Sequence, residues 1–162
     1  VPDADLPKIH FIEHHPSHLA SAFFVSPFDD AAVCAIDGFG DYVSTSIGLG
    51  KGNHIDVLNR VTYPHSLGVM YTAVTQHLGF RPDADEGKTM GLAPYGRPRL
   101  VPEFRKLVRY DPERLYEIDL RAFAYPLGRT EMGGAPFAQR FGPPRRPIQS
   151  SPSTMFGRCR IG

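Results

Sequence analysis

The chain has 162 residues, of which 41% are hydrophobic and 22% are charged, and its formal net charge is +1 at pH 7. This composition is that of one ordinary soluble globular domain, and the near-neutral charge indicates no particular partner. No apolar run approaches the roughly eighteen residues that a membrane span needs, and no signal-peptide pattern is present. We therefore expect a cytoplasmic protein without a membrane partner.

The first predicted elements surround a cluster of histidines. Residues 9–13 have the pattern of a short strand, and a short amphipathic helix is expected after them. His14 and His18 are four positions apart, the spacing that places two side chains on one face of a helix. Since proline favours the first helical position, Pro16 predicts that the helix begins there and that His14 lies just outside it. A helix start of this kind can still bring the two imidazoles together.

A carboxylate follows at the end of the next apolar segment. Residues 31–36 read as a buried strand, and Asp37 stands at its end, immediately before the glycine turn 38–40. Two imidazoles and one carboxylate on different elements can form an open-sided site for iron or zinc. The structural alternative is a solvated histidine pair beside an ordinary Asp-Gly turn. Spacing alone leaves both interpretations open.

The next elements define the fold class. Residues 42–49 and 55–61 alternate apolar and polar positions around a glycine-containing turn, which predicts an antiparallel three-stranded meander with 31–36. Ser66 is placed to cap a helix, and Gly79 stands where a helix C-terminus favours glycine. The apolar positions of this helix follow a 3.6 period: Leu67, Met70, Tyr71, Val74 and Leu78. This order predicts an α/β, ribonuclease-H-like core.

A second glycine-rich segment, residues 83–96, combines acids, a lysine and glycines. Free amides at a helix start favour an anion, Lys88 adds a positive charge, and a carboxylate can accept from ribose hydroxyls. The segment would therefore suit a phosphate or a sugar. The structural alternative is an acidic helix start followed by a Gly/Pro loop. Beyond it, we expect one helix near 101–108 and loops with short strand pieces over 110–127.

The C-terminal residues 143–162 carry four arginines, no acid and no periodicity. We predict a disordered tail, because this composition buries too little apolar area to offset its ordering entropy. A nucleic-acid-binding arm is disfavoured, since aromatic side chains do not alternate with the basic ones. Residues 1–142 are then the folded part, and no nucleic-acid partner is expected.

Four blocks of the chain, in order, resemble the O-carbamoyltransferase family of nodulation-factor and antibiotic biosynthesis. They read His-His-Pro-Ser-His-Leu-Ala-Ser-Ala-Phe from residue 14, Ile-Asp-Gly-Phe-Gly-Asp from 36, Ser-Leu-Gly-Val-Met-Tyr-Thr-Ala-Val-Thr from 66, and Glu-Gly-Lys-Thr-Met-Gly-Leu-Ala-Pro-Tyr-Gly from 86. The resemblance implies an actin-like ATPase, ribonuclease-H-like fold, incomplete here and consisting mainly of the start of its second lobe with the meander. It also implies that carbamoyl phosphate and ATP give a carbamoyl-adenylate in a separate domain. The metal-bearing domain then transfers the carbamoyl group to the hydroxyl of a small-molecule acceptor.

The resemblance also implies roles for individual residues. It assigns a divalent metal, iron first and zinc second, to His14, His18 and Asp37, the trio that spacing also indicates. The carbamoyl carbon is a poor electrophile, so its transfer is faster with such a cation and with a base that takes the proton of the acceptor hydroxyl. We nominate the neighbouring His15 as that base. The nucleotide-binding residues expected from the same pattern are Gly38 and Gly40 in a phosphate-facing hairpin, and Glu86, Lys88 and Gly91 in the nucleotide wall.

Two departures from the family bear on activity. Family members are several times longer, and this chain lacks their early phosphate loop, a further metal-binding aspartate and the adenylate-forming domain. We therefore expect a fragment that transfers no carbamoyl group alone. The alternatives are a relative of the tRNA threonylcarbamoyl transferases and a catalytically incompetent remnant that binds only metal or nucleotide.

Overall fold

The computed structural model describes residues 8–128 and 130–147. The chain divides into two compact units, one containing the residues up to Met70 with Phe104–Leu120, the other containing Tyr71–Glu103 with the residues from Arg121 onward. Of the predicted disordered tail, residues 148–162 lie outside the described part, and residues 143–147 belong to no helix or strand.

The first unit is built on one helix and one antiparallel sheet. Helix α1 spans His14–Phe23, and strands β1 (Asp30–Gly40), β2 (Val43–Lys51) and β3 (His54–Thr62) pair in the order β1-β2-β3. The predicted meander is therefore confirmed, and β1 extends past its predicted end to include Asp37. A mixed α/β fold with small antiparallel sheets is the result.

Helix α1 packs on one face of this sheet because its apolar residues meet the inward-facing positions of β1 and β3. Leu19 and Phe23 are buried with Val33 and Ala35, and Ile55 and Val57 pack against them. Gly50 of β2 completes the fit, since a Cβ atom at that position would overlap the ring of Phe23. This packing fixes the helix that carries the histidines over the strand that carries Asp37.

A hairpin from later in the chain completes the first unit. Strands β4 (Val108–Asp111) and β5 (Leu115–Ile118) pair antiparallel in the region where loop with short strand pieces was expected. Three hydrogen bonds tie the hairpin to the sheet and to the residues after β3: Thr45 Oγ1 with Tyr116 Oη at 2.7 Å, Asn59 Nδ2 to the Glu113 carbonyl at 2.7 Å, and the Ile118 N–H to His65 Nδ1 at 3.0 Å.

Helix α2 (Leu67–His77) begins in the first unit and ends in the second. Ser66 accepts the Val69 N–H at 3.0 Å, and Gly79 has φ +84°, so the predicted cap and C-terminal glycine are confirmed. The fully buried side chains of α2 are Thr72, Ala73 and Thr75, whereas Tyr71, one of the predicted apolar positions, is 37% exposed and the other four are partly buried.

Helix α3 spans Glu86–Leu92 in the second unit. The short helix α4 spans Val101–Arg105, and its last two residues belong to the first unit. Helix α5 spans Ala135–Phe141 in the second unit. Phe137 of α5 is 1% exposed and packs against Phe123, with a ring-centroid distance of 5.3 Å. Gln76 donates to the Thr130 carbonyl at 2.8 Å and accepts the Met132 N–H at 2.7 Å. These contacts hold α2 to the segment before α5.

Three local predictions were wrong. Residues 9–13 do not form a strand, and their side chains at Ile9 and Phe11 are 75% and 96% exposed, because the described part of the chain offers them no neighbouring strand. Helix α1 begins at His14, two residues before Pro16. The turn after β1 also lies further on, at Asp41 and Tyr42, so the glycines at 38 and 40 belong to the strand itself.

Among the residues that the structure describes, no helix has the length and apolarity to cross a membrane.

Candidate metal centre

The structure brings His14, His18 and Asp37 to one point. His14 is the first residue of α1 and His18 lies one turn later, so both imidazoles face the end of β1. His14 Nε2 lies 2.6 Å from Asp37 Oδ2 and 2.9 Å from His18 Nε2, and His18 Nε2 lies 3.5 Å from Asp37 Oδ2. One ligand atom from each residue lies within 4.8 Å of the others.

These distances match a set of metal ligands. Bonds of about 2.1 Å place two ligand atoms about 3.0 Å apart at a right angle and about 3.4 Å apart at a tetrahedral angle. The three observed separations, 2.6, 2.9 and 3.5 Å, surround these values. Two imidazoles with one carboxylate on one side of an ion are typical of non-haem iron sites and also occur with zinc.

Proton counting supports the same interpretation. His14 Nε2 faces both a carboxylate oxygen and a second ring nitrogen, but one ring nitrogen carries at most one proton. With neutral imidazoles, the hydrogens therefore cannot satisfy every short contact in the cluster, so either two lone pairs or two N–H groups face one another. A cation at their common point would satisfy all three groups at once.

Asp37 is held by its own backbone neighbours as well as by histidine. Its Oδ1 accepts the Gly38 N–H at 2.6 Å, which leaves Oδ2 directed at the imidazoles. The hydrogen bond with His14 is the main reason why the pKa of Asp37 lies below its ordinary value. Burial acts against it, and the Gly38 N–H adds to it. The carboxylate is thus ionised at neutral pH, as a metal ligand must be.

The β1–β2 register explains how Asp37 reaches the site. The pairing is irregular between Ile36 and Gly40, so Asp37 lies in a stretch that departs from the regular ladder. Such irregularities bend a strand and redirect its side chains. Beyond this stretch, Gly40 pairs with Val43 next to the turn.

The backbone of Asp37 is fixed from the opposite side by the start of α2. The buried Ser66 hydroxyl lies 3.1 Å from the Asp37 carbonyl and 2.5 Å from the Gly38 carbonyl. Gly68 allows close approach, since a Cβ atom there would overlap the Asp37 carbonyl. The sequence indicated Ser66 only as a helix cap, and no local pattern revealed that it also anchors a candidate ligand.

The structure gives Gly40 a definite packing role beside the candidate ligands. A Cβ atom at Gly40 would overlap the His14 ring, so glycine is required there for the imidazole to approach. A Cβ atom at Gly38 would meet nothing within 4 Å. The predicted phosphate-facing role of these two glycines stays a prediction, and the hairpin turn expected at them lies at Asp41 and Tyr42.

His15, the nominated base, points away from solvent. Its side chain is 1% exposed, and within the described part of the chain neither ring nitrogen has a hydrogen-bond partner of good geometry. Burial lowers the pKa of His15, although the nearby Val43 backbone acts in the opposite direction. The neutral form suits a base, but the ring presents no open face to an acceptor hydroxyl.

Glu86, Lys88 and Gly91 lie on α3 in the second unit, where their polar groups have local partners. Glu86 accepts the Asp83 N–H at 2.8 Å, and Lys88 pairs with Asp85 at 2.8 Å. That pairing is the first cause that lowers the pKa of Asp85. A Cβ atom at Gly91 would meet nothing within 4 Å. A nucleotide wall at these residues stays a prediction.

Comparison with known proteins gives one family model and several longer relatives. Residues 1–152 match the family model of the carbamoyltransferase N-terminus. The chain is 44% identical over 147 residues to the uncharacterized protein sll1178 of Synechocystis, a match that covers 90% of this chain and 24% of that protein.

Two nodulation proteins of rhizobia are also similar. The identity is 36% over 118 residues to NolNO of Sinorhizobium fredii, covering 70% of this chain and 17% of that protein. It is 42% over 87 residues to NolO of Bradyrhizobium diazoefficiens, covering 54% of this chain and 16% of that protein. The chain thus spans about a quarter or less of the length of these relatives.

Proposed function

Because the chain belongs to the carbamoyltransferase N-terminus family, we propose that it is the metal-bearing part of an enzyme that transfers a carbamoyl group to a hydroxyl. The observation that carries the proposal is the convergence of His14, His18 and Asp37 on one point. An actin-like, ribonuclease-H-like fold is compatible with the meander and the helices around it, and we include it in the proposal.

The proposed reaction takes the carbamoyl group from carbamoyl-adenylate, which carbamoyl phosphate and ATP supply. The acceptor oxygen forms a bond to the carbamoyl carbon, the bond from that carbon to the phosphate oxygen breaks, and AMP leaves. The hydroxyl proton passes to a base. A divalent ion, iron first and zinc second, would polarise the carbonyl or hold the phosphate.

The chain's own residues have separate tasks in this scheme. His14 and His18 would supply neutral nitrogen ligands, and Asp37 supplies the charge that offsets part of the ion's charge. Three ligands on one side leave the opposite side open, where donor and acceptor would meet. The base for the hydroxyl proton stays a prediction at His15, whose side chain is 1% exposed.

The test is a metal titration of the 162-residue chain with Fe²⁺ under anaerobic conditions and with Zn²⁺. We expect binding of one ion, and loss of that binding in His14→Ala and in His18→Ala. His54→Ala is the matched control, because His54 lies 3.0 Å from Asp56 in an exposed pair that finds no third ligand within residues 8–128 and 130–147. Equal binding in all four proteins would remove the site.

The transfer reaction is tested separately with carbamoyl-adenylate and a panel of small-molecule hydroxyl acceptors. Carbamoylated product that disappears in His18→Ala would assign the reaction to this site. Intact metal binding without product would leave this chain as a metal-binding part only. The matches cover 24% or less of the relatives' length, and the rest of that length would then be needed for transfer.

A further inference from the structure

Asp41 lies four residues after the candidate ligand Asp37. Its side chain contacts the metal centre at a backbone group, the N–H of His14. Its Oδ2 accepts the His14 N–H at 2.8 Å, across 27 positions of sequence. Asp41 is not among the three residues whose ligand atoms converge. It nevertheless binds the residue whose ring lies at the middle of the cluster, 2.6 Å from one ligand atom and 2.9 Å from the other.

The His14 N–H has no helical partner of its own. The first N–H groups of a helix have no carbonyl four residues back within the helix, and His14 is the first residue of α1. The residue in the N-cap position, Glu13, makes no side-chain capping hydrogen bond. Asp41 supplies that missing acceptor, and its negative charge lies at the positive end of the helix dipole.

The backbone conformation of the turn between β1 and β2 suits an aspartate at position 41. Asp41 has φ +51° and Tyr42 has φ +66°, so both residues of this two-residue turn adopt a left-handed backbone. Turns of this kind favour Asn, Asp or Gly at the first position. An aspartate satisfies the turn and at the same time offers a carboxylate to the helix, which glycine cannot do.

One five-residue segment therefore determines where His14 lies. Asp37 supplies a candidate ligand, Gly40 leaves the space that the His14 imidazole occupies, and Asp41 holds the His14 backbone. Because the ligand and the anchor belong to the same strand end, a shift of α1 along the sheet would break both contacts together.

We propose that Asp41 is a positioning residue of the metal centre, which holds the start of α1 so that His14 meets His18 and Asp37 at metal-binding distance. This inference rests on the proposed metal site. It predicts that the hydrogen bond from His14 N–H to Asp41 sets metal affinity and ligand geometry, beyond any effect on the stability of the helix.

The experiment compares two substitutions of Asp41 in the 162-residue chain. Asp41→Asn keeps both the left-handed turn preference and an oxygen acceptor. Asp41→Gly keeps the turn without strain and removes the acceptor. Co²⁺ is the probe, since its absorption bands report ligand geometry and its titration gives affinity. Circular dichroism of the metal-free proteins reports helix content.

We expect Asp41→Gly to bind Co²⁺ about 10–100-fold more weakly, the usual cost of losing a partner of a metal ligand, with altered absorption bands. Asp41→Asn is expected to retain affinity within about threefold and to keep the wild-type bands. The control is Glu13→Gln at the same end of α1. This substitution weakens the ion pair between Glu13 and Arg60, whose charged atoms lie 3.2 Å apart, and it changes no candidate ligand. Its affinity should change less than about twofold.

Wild-type affinity and bands in Asp41→Gly would overturn the inference while leaving the metal site intact. An equal loss in Glu13→Gln and Asp41→Gly would also overturn it, since helix stability alone would then explain both results. Failure of the wild-type chain to bind Co²⁺, Fe²⁺ or Zn²⁺ would instead overturn the proposed function on which the inference rests.

Discussion

Two segments of this chain carry acids beside basic or metal-binding side chains, and the structure treats them in opposite ways. At the metal centre, Asp37 meets His14 across 23 positions of sequence, and Asp41 meets the same histidine across 27. On α3, Glu86 bonds to a group three residues away, and Lys88 pairs with an acid three residues back.

The difference shows which feature of a polar cluster points to a ligand. On α3, Glu86 and Lys88 are each paired with a near neighbour, as a turn and a helix start would also arrange them. At the metal centre, residues of distant elements converge, and with neutral imidazoles at least one short contact has no hydrogen to share, a mismatch that a metal ion would relieve. Long-range convergence with incomplete pairing is therefore the sign of a site.

The largest effect is expected from matched carboxylate substitutions in the two segments. Asp37→Asn should lower Co²⁺ affinity by more than about 100-fold, because even the loss of a ligand's partner commonly costs 10–100-fold. Asp85→Asn removes the partner of Lys88 and should leave Co²⁺ affinity unchanged. Isothermal titration of both variants checks this, and equal affinities would erase the contrast between the segments.

Matched glycine substitutions should change stability in opposite directions. Gly40→Ala places a methyl group against the His14 ring, and we expect it to cost about 1–3 kcal/mol in the free energy of unfolding. Gly91→Ala adds a methyl group in open space on a helix and should stabilise by up to about 1 kcal/mol. Urea denaturation measures both, and a neutral Gly40→Ala would contradict the close ring packing.

Two serines repeat the contrast on a smaller scale. Ser66→Ala should cost about 1–2 kcal/mol, because the buried hydroxyl caps α2 and lies within hydrogen-bond distance of the Asp37 and Gly38 carbonyls. Ser17→Ala removes only a bond to the Glu13 carbonyl four residues away and should cost less than about 0.5 kcal/mol. Thermal unfolding followed by circular dichroism separates the two, and similar costs would refute the anchoring role of Ser66.

The smallest effect is a pH dependence in the second unit. Burial is the main cause that lowers the pKa of His77 below 6.5, with the Gly142 backbone acting in the opposite direction. The unfolded chain therefore binds this proton more readily, so the stability linked to His77 is complete above pH 6.5 and declines as the pH falls from 6.5 to the folded-state pKa.

His77→Gln should flatten that part of the stability profile between pH 5 and pH 7, measured without metal. His15, whose pKa burial also lowers, would account for a remaining slope. An unchanged profile in His77→Gln would show that the His77 ring is equally easy to protonate in the folded and unfolded chains.

Much of the first unit, and both ends of α2, could be predicted from the sequence because their signals are local. Alternating apolar residues determine β2 and β3, and Ser66 and Gly79 mark the ends of α2. The i, i+4 histidines and the strand-end carboxylate Asp37 also carry a local signal, and the structure brings them together.

The errors arose where a tertiary contact overrides a local preference. Pro16 favours a helix start at its own position, but the helix begins at His14, where the Asp41 carboxylate offers a distant acceptor for the first free N–H. Gly40 resembles a turn residue, yet it serves to admit an imidazole from another element. Such contacts depend on which elements meet, and no local pattern in one sequence records that.

The most direct test of the metal centre is X-ray absorption spectroscopy of the 162-residue chain loaded with one equivalent of Zn²⁺. The account predicts two imidazole nitrogens and a carboxylate oxygen at about 2.0–2.2 Å, with solvent completing the shell, and one imidazole fewer in His18→Ala. A shell without imidazole scattering, or one unchanged in His18→Ala, would contradict the assignment of His14, His18 and Asp37 as metal ligands.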